Sequence, residues 1–483
     1  MRTNGAAGRI PKALKIFLFA ISGLAGMLLL AALALLLFVD INAYKPRVEA
    51  AASNALRMDV TVEGGLAIGF SPGLHVTLEN VRIRNRGTDL AFLKKADVAI
   101  QLLPLLNQDV RYHAISTQGA RISIERDGNG IYNYQRLDAT GKTARILDLP
   151  KLSFTDLVVA YADKQSGSSF ESHDCNGDLN DMRHPGGAPF LNRLSLSGQF
   201  ACRDVRGTGS TISDLQFSVA ATEGVFEFKP VTMRAYGGNG SATMRMDRSA
   251  EVPTLDIAYT LSKFQIEEFF KSQSTGKSVS GVMDFSTALS MRGRTRLALR
   301  QSAKGEMSLS GKNLTLKGMD LDAQLLKFES SQNFNLLDVG AFLFAGPVGL
   351  AVTKGFEFSS LTQQAGGSTQ IPTVVSKWKV EKGVAYATDV ALSTNQHRLA
   401  VQGGLDFVDD EYQGMIIALI DAKGCVRASQ KISGPFSKPI ADKSVFLVPV
   451  GPLLKLLDKA KTLFLGPDNN CEVFYRGSVA PPK

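Results

Sequence analysis

The chain has 483 residues, of which 44% are hydrophobic and 20% charged, and its formal net charge is +9 at pH 7. Its Lys and Arg residues are scattered, without a dense basic block or basic residues interleaved with aromatic ones, so a nucleic-acid partner is not expected. Glycine is frequent, at 45 residues, and tryptophan occurs once. With Ser and Thr abundant throughout, strand and turn residues dominate, and the composition predicts a mainly β fold.

The N-terminal segment has the features of a membrane anchor. Residues 1–15 carry four basic side chains and no acidic one, and an uncharged apolar run over 16–39 follows. At about 1.5 Å per helical residue this run covers roughly 36 Å, enough to cross a hydrocarbon core of about 30 Å. It is longer than the core of a cleaved signal peptide, and no small-residue cleavage site follows it. We therefore predict a cytoplasmic tail over 1–15, a transmembrane helix over 16–39 and a body across the membrane.

A short helix is predicted directly after the anchor. The segment from Tyr44 to Leu56 contains helix formers, a proline near its start and apolar residues at three- and four-residue spacing. Such an amphipathic helix could lie at the membrane interface, or it could cap the open end of the sheet that follows. The sequence leaves both interpretations open.

Strand patterns occupy most of the remaining chain. Leu74, Val76 and Leu78 alternate with polar residues, and the alternation resumes at Val81 and Ile83 after a slip of one residue. One-faced alternation in many short segments is typical of antiparallel sheets and not of a parallel sheet covered by helices. The pattern recurs at Val98, Ile100 and Leu102, at Ile122 and Ile124, at Leu194 and Leu196, at Val225, Phe226 and Phe228, at Leu255, Ile257 and Tyr259, at Leu314 and Leu316, and at Leu405 and Phe407.

Two segments interrupt the strand pattern. The sequence from Phe264 to Phe270 has an apolar side at helical spacing and predicts a short helix. The apolar stretch over 336–352 contains Asp338 and Pro347 and is too short and too broken for a second transmembrane span. Buried core, or a loop lying in an apolar groove, is the favoured interpretation.

The four cysteines, Cys175, Cys202, Cys425 and Cys471, all follow the anchor, where an oxidising compartment would permit disulfides. Four cysteines allow three connectivities. We favour the pairing of sequence neighbours, Cys175 with Cys202 and Cys425 with Cys471, over schemes that link distant parts of the chain. A metal site is not expected, because no paired C-x-x-C or H-x-x-x-H spacing accompanies the nearby histidines.

Catalytic motifs are not found in this sequence. The five histidines are scattered, and the sequence contains no G-x-S-x-G elbow, P-loop or dinucleotide fingerprint. Pairs of neighbouring acidic residues, such as Asp409 and Asp410, are most simply solvated turns. An enzyme is therefore not expected, and neither is a cofactor.

A family resemblance rests on an ordered set of segments from Asp40 to Gln135 and on further segments downstream. The chain resembles the AsmA family of bacterial envelope proteins in these segments taken together. The segments are DINAYKPRVEAAASNAL, VTVEGGLAIGFSPGLHVTLENVRIRN, LLPLL, ISIERDGNGIYNYQ, LSFTDLVVAYAD, YGGNGSATMRMD, GEMSLSGKNLTLKGMDLDAQL, KGVAYATDVALST, LAVQGGLDF and ISGPFSKP.

The resemblance implies an inner-membrane protein of a Gram-negative bacterium, with its N-terminus in the cytoplasm and its body in the periplasm. It implies an elongated antiparallel sheet curled into an apolar groove, with an N-terminal β-groove region over 40–300 and a C-terminal β region over 301–483. Alternation alone fits a packed sandwich as well as an open groove, and the resemblance favours the groove. Its candidate lining residues are Leu74, Val76, Leu78, Val98, Ile100, Leu102, Ile122 and Ile124.

A protein of this kind is expected to bind phospholipid or another envelope lipid and to support lipid transport or outer-membrane biogenesis. The alternative is a scaffold without enzymatic activity that holds envelope protein partners at exposed strand edges and binds no lipid. An interior that stays apolar and accessible along its length would favour lipid binding, and a tightly packed sandwich would favour the scaffold.

Overall fold

The computed structural model of the chain describes Met27 and residues 41–69, 73–101, 112–135, 146–186, 190–207, 210–272, 278–331, 367–442, 445–446 and 471–482. The fold is mainly β, with a few short helices. The chain divides into two compact units, Met1–Ser123 and Ile124–Lys483. The predicted division near residue 300 stays a prediction.

The first unit is built on β3, which pairs antiparallel with β1 and β2 along one edge and with β4 along the other, and β4 pairs in turn with β5. A 3-10 turn over Ile41–Tyr44 leads into helix α1. The elements are α1 (Lys45–Leu56), β1 (Asp59–Val62), β2 (Leu66–Gly69), β3 (His75–Asn85), β4 (Thr88–Ile100) and β5 (Tyr112–Arg126), which continues past the end of the unit.

Helix α1 covers the free edge of β1. Two backbone N–H groups of β1 donate to side chains of the helix, Val60 to Ser53 Oγ at 3.0 Å and Val62 to Glu49 Oε1 at 2.7 Å. Ala52 also packs against the small apolar cluster formed by the first strands of this unit. Of the two interpretations of this segment, the structure shows the helix as a cap of the sheet.

The slip in the alternation of β3 is a local backbone kink. Asn80 has φ of 52°. Gly119 of β5, which lies at a gap in the pairing of β5 with β4, has φ of 60°. Asparagine and glycine tolerate this left-handed conformation better than other residues. Because the kink absorbs one residue, Leu78 and Val81 reach the same apolar cluster although they are three positions apart.

The second unit is an antiparallel meander in which nearly every strand pairs with the next, β12 pairing with β14 and β13 with β15. Its helices are α2 (Ile266–Ser272), α3 (Arg296–Ser302) and α4 (Leu321–Ser331), with a 3-10 turn over Phe190–Asn192. Its strands are β6 (Ile146–Asp163), β7 (Ser168–Pro185), β8 (Ser195–Gly207), β9 (Ser210–Thr222), β10 (Val225–Ala235), β11 (Gly238–Asp247), β12 (Thr254–Gln265), β13 (Ser278–Ser280), β14 (Val282–Arg292), β15 (Lys304–Lys317), β16 (Ser368–Glu381), β17 (Val384–Ser393), β18 (Arg398–Asp406), β19 (Glu411–Ile420), β20 (Val426–Pro435), β21 (Ile440–Ala441) and β22 (Val445–Phe446).

A closed apolar core occupies the C-terminal half of the second unit. One cluster joins Phe264 of β12, Ile266 of α2, Leu325 of α4, and Ile371 and Trp378 of β16, each exposed by 2% or less. The same cluster continues through buried residues of β17 to β20. The helix predicted from Phe264 onward is α2, and it contributes its apolar side to this core.

Both disulfides join cysteines that are neighbours in the sequence. Cys175 and Cys202 are register partners on β7 and β8 with a Cα separation of 4.0 Å. Cys425 and Cys471 have a Cα separation of 5.9 Å, and this bond ties the C-terminal segment, residues 471–482, to the second unit. The structure thus has the pairing favoured from the sequence.

The C-terminal segment covers the face of the last strands that lies opposite the closed core. Tyr475 and Val479 pack with the fully buried residues Ala391, Ala400 and Ala418. The small alanine side chains let the segment lie close to the sheet. A second attachment comes from Arg398, whose guanidinium donates to the Val479 carbonyl at 3.0 Å and to the Asp421 carbonyl at 2.7 Å.

Asp389 of β17 provides a third attachment, which depends on its charge. Its carboxylate accepts hydrogen bonds from Tyr475 Oη at 2.5 Å and Ser478 Oγ at 2.7 Å, and it lies 3.3 Å from Lys377 Nζ. Burial raises the pKa of Asp389, but these hydrogen bonds outweigh burial and hold the pKa below its usual value. A depressed carboxyl pKa contributes stability above the unfolded-state pKa, and that contribution is lost as pH falls through the folded-state pKa.

We expect Asp389→Asn to lower the melting temperature at neutral pH and to have little effect in acid. The difference from the native chain should be full at about pH 6 and should shrink as pH falls through the depressed folded-state pKa, where the native carboxyl becomes protonated as well. Circular dichroism melts of both proteins across this range measure the difference. A difference that stays constant with pH would contradict the assignment of this attachment to the Asp389 charge.

The predicted cytoplasmic tail over 1–15 and transmembrane helix over 16–39 lie outside the described residues, apart from Met27. The apolar segment over 336–352 lies outside them as well. Within the described ranges, no helix combines the length and the apolar character that a membrane crossing requires.

Candidate lipid-binding surface

One face of the second unit carries an uninterrupted row of apolar side chains from β6 to β14. Register and the two-residue period of strands place one large apolar residue of each strand on this face. We call this row the apolar strip. Its members are Leu152, Leu179, Phe200, Phe217, Phe228, Met244, Ile257 and Leu289.

Ring contacts connect three members of the strip, and register pairs connect others. Phe200 stacks on Phe217 with ring centroids 4.7 Å apart, and Phe217 lies 6.1 Å from Phe228. Beyond Phe228, the register pairs Met244 with Ile257. Aromatic rings at these separations attract each other beyond the area they bury, so this part of the strip forms a continuous apolar surface.

Two glycines give the strip its shape at β7 and β8. A Cβ added at Gly177 would lie 2.9 Å from Phe154 Cζ, and a Cβ added at Gly198 would lie 2.7 Å from Leu179 Cδ2. Both positions therefore need glycine so that the larger side chain can lie across the neighbouring strand. Phe154, placed in this way over Gly177, also reaches Phe200 with a centroid distance of 5.3 Å.

Exposure changes sharply along this face. All eight members of the strip are half-buried, whereas the residues that continue the same row beyond β15, Val380, Ala385 and Leu405, are exposed by 4% or less. The row itself does not stop, because Leu289 pairs with Gly305 and Gly305 with Val380. The row therefore remains half-exposed over β6 to β14 and becomes part of the closed core beyond it. Phe226, Leu261 and Phe285, which lie on the same face of these strands, are buried.

The opposite face of the same strands is polar. Two adjoining cavities of about 1020 Å³ and 600 Å³ are lined mainly by Ser, Thr, Ala and charged side chains, and the larger one also touches the strip members Phe228, Met244, Ile257 and Leu289. Cations and carboxylates alternate around the larger one, as in the pair Lys379–Glu381 at 2.6 Å. Because opposite charges neutralise each other there, this face does not concentrate charge of one sign.

The residues predicted to line a groove lie mainly in the first unit. Val76 pairs with Val98, and Ile100 N–H donates to the Leu74 carbonyl at 2.9 Å, so these four side chains share one part of the sheet. Leu78 instead packs in the small cluster under α1.

The remaining candidates are placed apart from that group. Ile122 pairs with Ala91, Ile124 begins the second unit, and Leu102 lies outside the described residues. The described candidates are half-buried. Their role in binding lipid stays a prediction.

Most of the strip was not singled out from the sequence. The alternation at Val225, Phe226 and Phe228 and at Leu255, Ile257 and Tyr259 indicated two of its strands. Alternation has the same form in a closed core and in an accessible face, so it could not rank these residues above others. Partial exposure is the signal that distinguishes them, and only the folded chain carries it.

Asp322, Thr394 and His397 form a group in the second unit whose residue types suggest catalysis. His397 Nδ1 lies 2.7 Å from Asp322 Oδ1, and the Thr394 hydroxyl donates to the same oxygen. A nucleophile relay would need the hydroxyl to bond to the imidazole. Here both groups bond to the carboxylate, so the cluster ties α4 to the turn between β17 and β18. The described residues also contain no group of acidic, His or Cys side chains suited to a metal ion.

Comparison with protein-family models tests the resemblance to the AsmA family that the sequence indicated. The model of the AsmA family matches residues 10–209 and 190–389, which together cover most of the chain. The chain belongs to the AsmA family. Comparisons with curated proteins and with solved structures find no match.

In this AsmA-family protein the family matches include the whole of the apolar strip, from Leu152 to Leu289. The closed core beyond β16 and the C-terminal segment lie largely outside them. The mainly β fold with few short helices agrees with the fold class that the resemblance implies.

Proposed function

We propose that this AsmA-family protein is anchored in the inner membrane and holds lipid acyl chains along the apolar strip of its periplasmic body. In this role it supports phospholipid transport or outer-membrane biogenesis. The observation that carries the proposal is the row of half-exposed apolar side chains on β6 to β14. The same row continues into a closed core beyond β15. Membership of a family of bacterial envelope proteins supports it.

The dimensions of the strip suit an acyl chain. Eight strands at about 4.8 Å spacing extend over roughly 34 Å, whereas one leaflet of a bilayer has an apolar thickness of about 15 Å. Each methylene removed from water contributes about 0.8 kcal/mol. A chain lying along the strip therefore recovers much of the apolar contact that it leaves in the membrane.

The location follows from the proposed anchor. Residues 1–15 would lie in the cytoplasm, 16–39 would cross the membrane, and the body would lie in the periplasm. The two disulfides support this placement, because disulfides persist in the periplasm and are rare in the cytosol.

The rival function is an assembly scaffold that holds partner proteins at free strand edges. Helix α1 covers the edge of β1 with two hydrogen bonds, which removes one such edge in the first unit. A closed sandwich throughout would have favoured the scaffold, and the half-buried strip favours lipid.

We expect Ile257→Asp to reduce the lipid that co-purifies with the full-length chain by more than about tenfold, because a carboxylate facing hydrocarbon costs several kcal/mol. The matched control is Ala258→Asp, which puts the same charge on the neighbouring, exposed residue of β12, on the polar face. Mass spectrometry of lipid extracted from native, Ile257→Asp and Ala258→Asp proteins in the same detergent gives the comparison. Lipid bound around the predicted anchor is the same in all three proteins, so a difference between them measures lipid bound by the body.

Equal lipid in all three folded proteins would overturn the proposal and favour the scaffold. Val76→Asp and Ile100→Asp extend the experiment to the candidates of the first unit. Loss of lipid in these variants, with folding intact, would add the first unit to the binding surface. Loss of folding would instead identify Val76 and Ile100 as ordinary core positions.

A further inference from the structure

The connection between β14 and β15 concentrates positive charge at one end of the strands that carry the apolar strip. Within a span of 13 residues it contains five cations and a leucine that is 53% exposed. We call this group the basic tip. Its members are Arg292, Arg294, Arg296, Leu297, Arg300 and Lys304.

The basic tip is held in a fixed conformation. Thr295 caps α3 by accepting from Ala298 N–H at 3.1 Å. Ser302 Oγ joins the two ends of the connection: it accepts a hydrogen bond from Arg292 N–H at 2.7 Å and donates one to the Arg292 carbonyl at 2.6 Å. Gly383 N–H of the neighbouring turn donates to the Ala303 carbonyl at 3.0 Å. The charges are therefore presented on a structured element.

The cations of the tip are available to a partner. Arg292, Arg296 and Lys304 are exposed and form no ion pair within the described part of the chain. Arg294 pairs with Glu251 at 2.9 Å and Arg300 with Asp410 at 3.3 Å, and both carboxylates are more than half exposed. Exposed pairs of this kind contribute little and exchange readily for other anions.

The tip lies where the strip reaches the strand ends. Met291, the residue before Arg292, pairs with Leu255, and Leu255 pairs with Met246. These three half-buried side chains lie on the apolar face, each two residues along its strand from a member of the strip. Arg292 and Lys304 alternate with Met291 and Gly305 and lie on the other face of their strands. At the strand ends, an amphiphile could contact these cations with its headgroup around the edge of the sheet and the apolar face with its chain.

We propose that the basic tip contacts an anionic phospholipid surface and is the place where lipid passes between a membrane and the apolar strip. The proposal rests on the proposed function. A membrane is favoured over an acidic protein because a single exposed leucine among arginines suits shallow insertion between headgroups. A protein partner would require a wider apolar patch.

The test holds the full-length chain in neutral phosphatidylcholine nanodiscs and measures binding of separate vesicles. The vesicles are phosphatidylcholine alone, or phosphatidylcholine with about a third phosphatidylglycerol. We expect binding only to the anionic vesicles, weakening in about 1 M salt, where the Debye length falls to about 3 Å.

Arg292→Gln combined with Arg296→Gln should weaken this binding about 30-fold, since each cation near a charged membrane contributes about a fivefold change. Leu297→Ser should weaken it too, without changing its salt dependence. The matched control is Lys312→Gln combined with Lys317→Gln, which removes two exposed lysines from the far part of strand β15, away from the tip. This control should bind as the native chain does.

No binding to anionic vesicles, or equal loss in the tip variant and the control, would overturn the inference. Co-purified lipid separates this outcome from failure of the proposed function. A tip variant that keeps its lipid but loses vesicle binding supports both proposals. If the native chain holds lipid but does not bind anionic vesicles, the proposed role of the strip is kept and the proposed role of the tip is refuted.

Discussion

Replacing Trp378 with alanine should lower the free energy of unfolding of the second unit by about 3–5 kcal/mol. Trp378 is the single tryptophan of the chain and is 2% exposed in the closed core. It lies between Met307 of β15 and Ala387 of β17, and its Nε1–H donates to Ser376 Oγ at 2.7 Å. The substitution would leave a large cavity and an unpaired buried hydroxyl.

Guanidinium unfolding followed by circular dichroism is the appropriate measurement, because the variant loses its only tryptophan fluorescence. The control is Tyr386→Ala on the next strand, whose side chain is 41% exposed. We expect this change to cost less than about 1 kcal/mol. Similar losses in the two variants would mean that the core beyond β15 is not closed in solution.

Removing the second disulfide should have the next largest effect. Cys425→Ser combined with Cys471→Ser opens a loop of 46 residues, and such a crosslink typically contributes about 2–4 kcal/mol. The loss should appear first at the C-terminal segment, since the hydrogen bonds to Arg398 and Asp389 would remain as its main attachments. Tyr475 and Val479 would then leave the buried alanines of β17 to β19 exposed.

Limited proteolysis and thermal melts measure this release. The comparison is Cys175→Ser combined with Cys202→Ser, a disulfide between two strands already paired in register. We expect cleavage within residues 471–482 to accelerate only when the second disulfide is removed. Equal protection of this segment with and without that bond would show that hydrogen bonds alone hold it.

Particular residues show how far the sequence predicts this fold. The alternation of Val76 and Leu78 placed β3 correctly, and the slip before Val81 located the kink at Asn80. Both are local properties, because strand periodicity and the left-handed preference of asparagine act within a few residues. The helix at Ile266 was predicted for the same reason.

The sequence predicted an apolar face but did not single out the apolar strip on β6 to β14. The groove candidates between Leu74 and Ile124 stay a prediction. Ile257 and Val380 belong to strands with similar alternation, yet one is half-buried and the other is 4% exposed. Nothing near either residue in the sequence distinguishes them.

The sequence by itself determined the strand pattern, the helices α1 and α2 and membership of the AsmA family, since these depend on local spacing and on ordered motifs. Helices α3 and α4 were not predicted from it. The tertiary structure decided which part of the apolar face is closed and which remains accessible. Closure depends on packing between segments far apart in the chain, such as α4 and β16 against β12.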